Sequence, residues 1–433
     1  MAAGAPPDRH RVVRDRQRCD PPRPGLGTGD GARRRPAPHA RLLPGPSVVP
    51  VVDLSRHAPE LVRSYLRRVE AVLARGTVLL GPETDALERD LAAWAGVDGA
   101  VAVSSGAGAL QLIMAALGVG PGDEVIVPAF TAVPTAAAVC ALGAVPVFVD
   151  VDPVTAAIDA DGIAAARTER TRAVVVVHLY GRRADLPDTD LPVIEDAAQA
   201  MGALDRHDRS AAVALSFYPT KNLGGIGDGG AVLSGDPDLL ERVRRLRVHG
   251  MTQQYVHESI SQNFRMSEVE AAWLRLGLPS LDAWNERRRD VVARYRAAAP
   301  GLRWHAAADD HGHDHDHGHD HDHDHTDAAT RHVHHLCVVR HHDRDDARNR
   351  LASSGVGTGV HYPLALTQQP AYRHLTRTPC PEAEAWAAEC LSLPCFPQLR
   401  DDEVERVCEA LAALAAADAG STGSAGTAQG VTA

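Results

Sequence analysis

The chain has 433 residues, of which 44% are hydrophobic, and its formal net charge is −11 at neutral pH. This length and composition suit one large globular domain with a smaller one, or two to three domains. Because the charge is negative and no basic stripe occurs outside the N-terminal tail, nucleic acid is not expected as the main partner. No run of about 18 apolar residues occurs, so no membrane span is expected.

The cysteines indicate a reducing compartment. There are seven, they are scattered along the chain, and none forms a C-x-x-C pair. A chain of this length needs no disulfide bonds for stability. The N-terminus also lacks the apolar core of a secretory signal. We therefore expect a cytoplasmic protein.

Both ends of the chain have the composition of tails. Residues 1–48 are rich in Pro, Gly and Arg without hydrophobic periodicity, and residues 418–433 are mostly small. Such segments cannot bury enough apolar surface to offset the entropy lost on ordering. We expect both to be disordered, which leaves residues 49–417 as the folded part.

Strand and helix patterns alternate between the tails. A helical spacing of apolar residues at Leu110, Ile113, Met114 and Leu117 follows the first apolar run. The mostly continuous apolar runs are residues 100–105, 145–152, 172–181, 191–199, 212–221 and 230–235. Runs of this kind are typical of strands that helices cover on both faces. The sequence predicts an α/β fold with a mainly parallel central sheet over residues 49–285.

Residues 286–417 predict a smaller C-terminal α/β domain, with a helix, the strand VHHLCVVR, and further helix and strand. Within it, residues 311–325 read HGHDHDHGHDHDHDH and hold eight of the 23 histidines. Alternating His and Asp cannot form a core, so a surface loop is expected. Imidazole tracts bind Zn, Ni or Cu, but a low-complexity insert that binds metal only incidentally is the simpler explanation of the tract. We assign no metal ligand.

Lys221, in the string LSFYPTKNLGGIGDGG, is the only lysine of the chain. A lysine amine can lose its proton and attack a carbonyl to form an imine, whereas arginine stays charged and is a poor nucleophile. In a genome biased toward G and C, surface lysines would drift to arginine. Lys221 is therefore either a chance survivor on a solvated turn or a residue whose chemistry arginine cannot supply.

Candidate partners of Lys221 stand at the carboxyl ends of predicted strands, where ligands of open α/β sheets bind. Asp196 ends the run LPVIED, and Ser216 lies in the last strand before Lys221. A small-residue turn that opens a helix would offer unpaired N–H groups to an anion. This turn consists of Ser105, Gly106 and Ala107. Taken singly, Asp196 could equally be a helix N-cap, and the turn could be purely structural.

Together these groups match the requirements of pyridoxal 5'-phosphate. The cofactor needs an imine-forming lysine, a phosphate cradle, and a carboxylate that keeps its pyridine nitrogen protonated, so that the ring accepts electrons. A P-loop would instead need its lysine after the glycines and before Ser or Thr. Lys221 precedes the glycines and is followed by Asn222, so the P-loop interpretation fails.

The chain resembles the DegT/DnrJ/EryC1/StrS aminotransferases from about Val49 to about Leu414. The resemblance is carried, in the family's order, by EDAAQAMGA, SFYPTKNLGGIGDGGAV, QNFRMSEVEAAWLRLGLPSLDAWNERR and VGTGVHYPLAL. It implies a fold-type I transferase that depends on pyridoxal phosphate. It also implies transamination from glutamate or glutamine to the keto group of a nucleotide-linked deoxysugar or an aminocyclitol ketone.

By this resemblance, Lys221 would be the lysine that links the cofactor, and Asp196 would pair with the pyridine nitrogen. Both would be catalytic. Gln199 would lie near the ring oxygen, and Ser216 would contact the phosphate together with the turn at residues 105–107.

The resemblance also implies a homodimer with two shared sites. Asn263 would reach the phosphate of the neighbouring subunit's cofactor, and Arg265 would lie near the subunit interface. There it could serve a donor carboxylate or a nucleotide phosphate. His361 and Tyr362 would face the substrate.

The chain departs from the family pattern in several places. Ala107 stands where the phosphate turn usually has threonine, so a hydroxyl contact is lost while backbone N–H groups remain. Ala132 stands where many members stack an aromatic side chain on the ring, and Phe130 is the candidate replacement. The usual helix before LPVIED is cut to a few residues, and GALDRHDRSAAVAL is shorter than usual.

The sequence allows alternatives for the acceptor substrate and for the activity itself. The string GTGVHYPLAL contains no arginine to hold an α-carboxylate, which favours a hydroxylated ring over a 2-keto acid. An aminocyclitol (inosose) aminotransferase is one alternative. Related sugar dehydratases carry His in place of Lys221, so the lysine argues against them. A non-catalytic metal-binding or regulatory protein with the same fold is a third.

Overall fold

The structure is a computed structural model that describes residues 48–204, 209–306 and 332–424. The predicted tail at residues 1–48, apart from Val48, lies outside the described residues. So do the stretch 311–325 and the last residues of the predicted C-terminal tail. The described residues all belong to one compact unit.

Seven strands form the central sheet, in the spatial order β1-β7-β6-β5-β4-β2-β3. They are β1 (Gly99–Val103), β2 (Glu124–Pro128), β3 (Val145–Val149), β4 (Thr171–Val177), β5 (Val193–Asp196), β6 (Ala212–Ser216) and β7 (Gly230–Ser234). In this sheet only β7 runs antiparallel to its neighbours. The predicted mainly parallel sheet is confirmed, and six strands end at the same edge.

Helices cover the sheet. They are α1 (Pro59–Arg75), α2 (Pro82–Ala95), α3 (Gly106–Ala116), α4 (Val133–Ala141), α5 (Ala160–Ala166), α6 (Pro237–Leu246) and α7 (Glu268–Gly277). The strands are buried almost throughout, which explains why their sequences are apolar on both faces. The segment between β4 and β5 has only a single 3-10 turn, Leu179–Gly181, so the predicted loss of the helix before LPVIED is confirmed.

A second, smaller sheet with the order β10-β11-β12 follows. Its strands are β10 (Arg303–Trp304), β11 (Cys337–Arg340) and β12 (Cys390–Leu393). The helices of this part of the chain are α8 (Leu281–Ala298), α9 (Arg344–Ser353), α10 (Pro381–Glu389) and α11 (Asp401–Ser424). A hairpin of β8 (Met251–Gln253) and β9 (Val256–His257) precedes it. This part has its own apolar cluster around Tyr295, Val339 and Leu411.

The predicted domain boundary after residue 285 stays a prediction, and α8 runs through that position. The helix α11 continues past residue 418, where the sequence predicts a tail, because its alanine-rich segment favours helix. The six cysteines between residues 48 and 424 are free thiols. No helix within the described ranges has the length and apolar character needed to span a membrane.

Candidate active site

The carboxyl edge of the large sheet opens onto a cavity of about 260 Å³. The ends of β1, β2, β4, β5 and β6 contribute to its wall, because these strands are parallel and finish at one edge. Seven residues predicted from the sequence line this cavity: Ser105, Gly106, Ala107, Asp196, Gln199, Ser216 and Lys221. We call it the first cavity.

Lys221 lies in the turn after β6, where its backbone N–H donates to the carbonyl of Tyr218 at 2.8 Å. Its side-chain amine has no hydrogen-bond partner among the residues that the structure describes. Burial lowers the pKa of Lys221 to about 8, although the charge of Asp196 acts in the opposite direction. Near pH 8, about half of the amines are therefore neutral and able to act as nucleophile or base.

Asp196 is the last residue of β5, and 6% of its surface is exposed. Its carboxylate accepts hydrogen bonds from the Thr135 hydroxyl at 2.8 Å and from the backbone N–H of Ala198 at 3.2 Å. Burial raises the pKa of Asp196, and these hydrogen bonds and the charge of Lys221 oppose the rise. Turns, not a helix, follow it up to residue 204, so Asp196 is not a helix N-cap.

The turn at residues 105–107 opens α3. Ser105 is its N-cap and accepts from the backbone N–H of Gly108 at 3.0 Å, so the structural explanation of Ser105 holds. A Cβ added to Gly106 would meet the Cβ of Ser216 at 2.7 Å, which leaves room only for glycine. The first-turn N–H groups and the Ser216 side chain therefore meet at the positive end of the helix, a place suited to a phosphate.

Gln199 is held in one orientation by its neighbours. Its Oε1 accepts from the backbone N–H of Tyr180 at 2.7 Å, and its Nε2 donates to the Tyr362 hydroxyl at 3.0 Å. The Tyr180 hydroxyl donates in turn to the carbonyl of His361. Burial raises the pKa of Tyr362 to about 12, so this hydroxyl keeps its proton and can donate it to a ligand.

A second cavity, of about 250 Å³, lies beside the first, and Lys221 and Tyr218 line both. His335, His361 and Tyr362 also line the second cavity, and none of the described residues that line it is an arginine. Burial lowers the pKa of His361, so this imidazole is neutral at pH 7. The predicted substrate-facing pair His361–Tyr362 thus shares a largely uncharged cavity with the Lys221 amine.

Three predicted site residues line neither cavity. Phe130 is 1% exposed and stacks on Trp386 with ring centroids 5.9 Å apart, so it packs behind the site and does not replace the missing aromatic at Ala132. Asn263 is exposed and accepts from Nε of Arg265 at 2.9 Å. Within one chain, Asn263 and Arg265 reach neither cavity.

The structure adds residues that the sequence analysis did not single out. Thr135 contacts Asp196 across 61 positions of sequence, which no local pattern reveals. Tyr218 and Asp228 line the first cavity, and both stand in the string around Lys221 that carries the resemblance. His335 and Asn222 hydrogen-bond to each other at 3.2 Å beside the second cavity.

The model of the DegT/DnrJ/EryC1/StrS aminotransferase family matches residues 59–412. One relative is the dTDP-3-amino-3,4,6-trideoxy-alpha-D-glucose transaminase of Streptomyces venezuelae, 41% identical over 84% of this chain and 95% of the relative. Another relative is a protein of Geobacillus stearothermophilus named a pleiotropic regulatory protein. It is 38% identical over 84% of this chain and 98% of the relative.

The fold agrees with solved structures of the same family. DesV of S. venezuelae, solved in complex with a ketimine intermediate, superposes with a TM-score of 0.75 at 38% identity and covers 85% of this chain and 99% of that one. The fold-type I expectation is confirmed, and the cofactor of these enzymes is pyridoxal phosphate. The chain belongs to the DegT/DnrJ/EryC1/StrS aminotransferase family and is a pyridoxal-phosphate-dependent transaminase.

Proposed function

We propose that this protein transfers an amino group from glutamate or glutamine to the keto group of a nucleotide-linked deoxysugar. The observation that carries the proposal is the position of Lys221. Its unpartnered amine lies where two cavities meet, one lined by Asp196 and the α3 N-terminus and the other by neutral polar side chains.

The first cavity is proposed to hold the cofactor. When bound, pyridoxal phosphate would supply an aldehyde carbon that takes up the amino group in exchange for its oxygen, and a ring that accepts electrons. Asp196 would face the ring nitrogen, and the second N–H of Gln199 Nε2 would face the ring oxygen. Ser105, Gly106, Ala107 and Ser216 would hold the phosphate, and Asn263 of the partner subunit would complete its contacts.

Lys221 is proposed to move the proton in both halves of the reaction. Its Nζ would take the proton from the carbon that bears the amino group of the donor, and later return a proton to the acceptor carbon. A pKa of about 8 suits a group that must both accept and donate near neutral pH. Asp196, in the same cavity, would keep its negative charge opposite the protonated ring nitrogen.

The second cavity supports a sugar rather than a 2-keto acid as acceptor. Its described lining offers imidazoles and hydroxyl groups but no arginine to bind an α-carboxylate bidentately. The S. venezuelae relative is named for a dTDP-linked amino sugar, which supports a nucleotide-linked substrate here. An aminocyclitol would suit the same neutral groups and remains the alternative acceptor.

We also propose a cytoplasmic homodimer with shared sites. The support is that Asn263 and Arg265 stand apart from the cavities of their own chain. Exposed apolar side chains at Tyr255, Val256 and Ile260 lie on the preceding segment, and a second subunit would cover them. In the dimer, Arg265 would serve a donor carboxylate or a nucleotide phosphate.

A comparison of amino compounds tests the proposal. The protein with pyridoxal phosphate is mixed with 2-oxoglutarate and either dTDP-3-amino-3,4,6-trideoxy-α-D-glucose or alanine, which run the reaction in reverse. We expect the amino sugar to be favoured in kcat/KM by about 100-fold or more, about 2.7 kcal/mol of transition-state binding. Comparable rates would indicate a general amino-acid aminotransferase, and no reaction with any amine would favour a regulatory protein.

A further inference from the structure

His335 is a buried histidine that the sequence analysis left without a role. It lies two residues before β11, is 5% exposed, and lines the second cavity together with Lys221 and Tyr362. Both ring nitrogens, Nδ1 and Nε2, can make hydrogen bonds, and their environments differ.

The first nitrogen is a donor. The Nδ2 of Asn222 donates to Oδ1 of Asn285 at 2.7 Å and to the carbonyl of Val333 at 3.0 Å. The Val333 carbonyl can only accept, so the atom of Asn222 that faces it is the amide nitrogen. The other terminal atom of this side chain is therefore the amide oxygen. This oxygen is 3.2 Å from Nδ1 of His335, so Nδ1 carries the hydrogen.

The second nitrogen is therefore an acceptor. Burial holds the pKa of His335 well below its usual range, and the charges of Lys221 and Arg288 act in the same direction. The ring is neutral at pH 7, and with the hydrogen on Nδ1 its Nε2 has none. In the described part of the chain no group hydrogen-bonds to Nε2.

The cavity around this acceptor presents donors and apolar groups. The Lys221 amine and the Tyr362 hydroxyl each have a hydrogen to donate, because Tyr362 already accepts from Gln199. Val51, Val52, Leu336 and Leu393 form the apolar part of the wall. An acceptor without a partner among the described residues, beside these donors and apolar side chains, matches a ring that carries hydroxyl groups at some positions and lacks them at others.

We propose that His335 determines acceptor specificity, with its Nε2 accepting a hydrogen bond from a ring hydroxyl of the sugar in the second cavity. The bond from Nδ1 to Asn222 keeps the ring in place. The inference rests on the proposed function, because it takes the acceptor to be a hydroxylated ring.

Two substitutions separate the two nitrogens. His335→Asn places an amide N–H near the position of Nδ1, so it keeps the anchor on Asn222 but loses the acceptor. His335→Gln reaches the position of Nε2 with its amide oxygen, so it keeps an acceptor but weakens the anchor. Thermal unfolding of both variants verifies that they fold.

The measurement uses two half-reactions that start from the same pyridoxal form of the enzyme. Stopped-flow absorbance gives the rate constants with glutamate and with dTDP-3-amino-3,4,6-trideoxy-α-D-glucose. In His335→Asn, the ratio of sugar rate to glutamate rate should fall about tenfold, the size expected for one lost hydrogen bond. In His335→Gln, the ratio should stay within about threefold of the wild type.

The outcomes separate the role of His335 Nε2 from the proposed function. An unchanged ratio in His335→Asn, or an equal loss in both half-reactions, would overturn the role of Nε2 and leave the proposed function intact. A larger fall of the ratio in His335→Gln than in His335→Asn would also overturn it. Wild-type protein that reacts with glutamate but not with the amino sugar would overturn the proposed function itself.

Discussion

At the scale of single residues, Lys221 and Asp196 share one buried cavity, and burial acts on them in opposite directions. It lowers the pKa of the amine and raises the pKa of the carboxyl. Each charge stabilises the other, so the two effects partly cancel. The result is an amine that changes protonation near physiological pH beside a carboxylate available to a cationic ring nitrogen.

The pH dependence of cofactor binding tests this coupling. We expect apoenzyme mixed with pyridoxal phosphate to develop its visible absorbance faster as the pH rises, with a midpoint near 8, because only the neutral amine of Lys221 attacks the carbonyl. Asp196→Asn removes the charge that raises this pKa, so its midpoint should lie lower. A midpoint near 10 in the wild type would mean that the amine is solvated.

The carboxylate itself is tested by Asp196→Asn, which keeps the shape and removes the charge. We expect the visible band to persist and the turnover to fall by at least about 100-fold, since the ring loses its electron-accepting form. Thr135→Val is the matched control: it removes one hydrogen bond to the same carboxylate at 2.8 Å and should cost about tenfold or less. Little change in Asp196→Asn would refute its proposed catalytic role.

Residue-level prediction from the sequence succeeds where the chemistry is rare or local. Lys221 stands out because no other lysine occurs. His335 and Thr135 do not, because their partners lie 113 and 61 positions away. Proximity to Ala132 favours Phe130 as the replacement aromatic, but its ring packs against Trp386. Residues two positions apart can thus differ in environment: Ala132 lines the first cavity and Phe130 does not.

At the scale of secondary structure, the site is built from strand ends and one helix N-terminus. The apolar runs predict the strands because both faces are buried, yet the runs at 191–199 and 212–221 extend past Asp196 and Ser216, where β5 and β6 end. The surplus residues form the turns that carry Gln199 and Lys221. Hydrophobicity alone cannot mark where a strand ends and a buried turn begins, nor that β7 is antiparallel.

The close packing of α3 against β6 gives a test at this scale. Gly106→Ala should raise the Kd for pyridoxal phosphate at least about tenfold, because its Cβ would meet Ser216 at 2.7 Å and displace the turn. Gly120→Ala is the control, since a Cβ there meets nothing within 4 Å. Absorbance titration measures both. Equal affinities in the two variants would mean that this turn does not hold the phosphate.

At the scale of the whole molecule, the His/Asp-rich stretch at residues 311–325 contains none of the predicted site residues. We expect deletion of Asp310 to Asp324 to leave turnover and thermal stability unchanged, because a stretch without apolar residues contributes nothing to a core. Retention on a nickel column should be lost. A loss of turnover, with metal-dependent turnover in the full chain, would instead make metal a regulator.

We propose that one amine of the whole molecule binds the cofactor, and the single lysine makes this directly measurable. The protein is incubated with pyridoxal phosphate, reduced with borohydride, digested and analysed by mass spectrometry, with Lys221→Arg as the control. We expect one label per chain, on Lys221, and no label in the variant. A label on the N-terminal amine alone, or an unlabelled wild type, would contradict it.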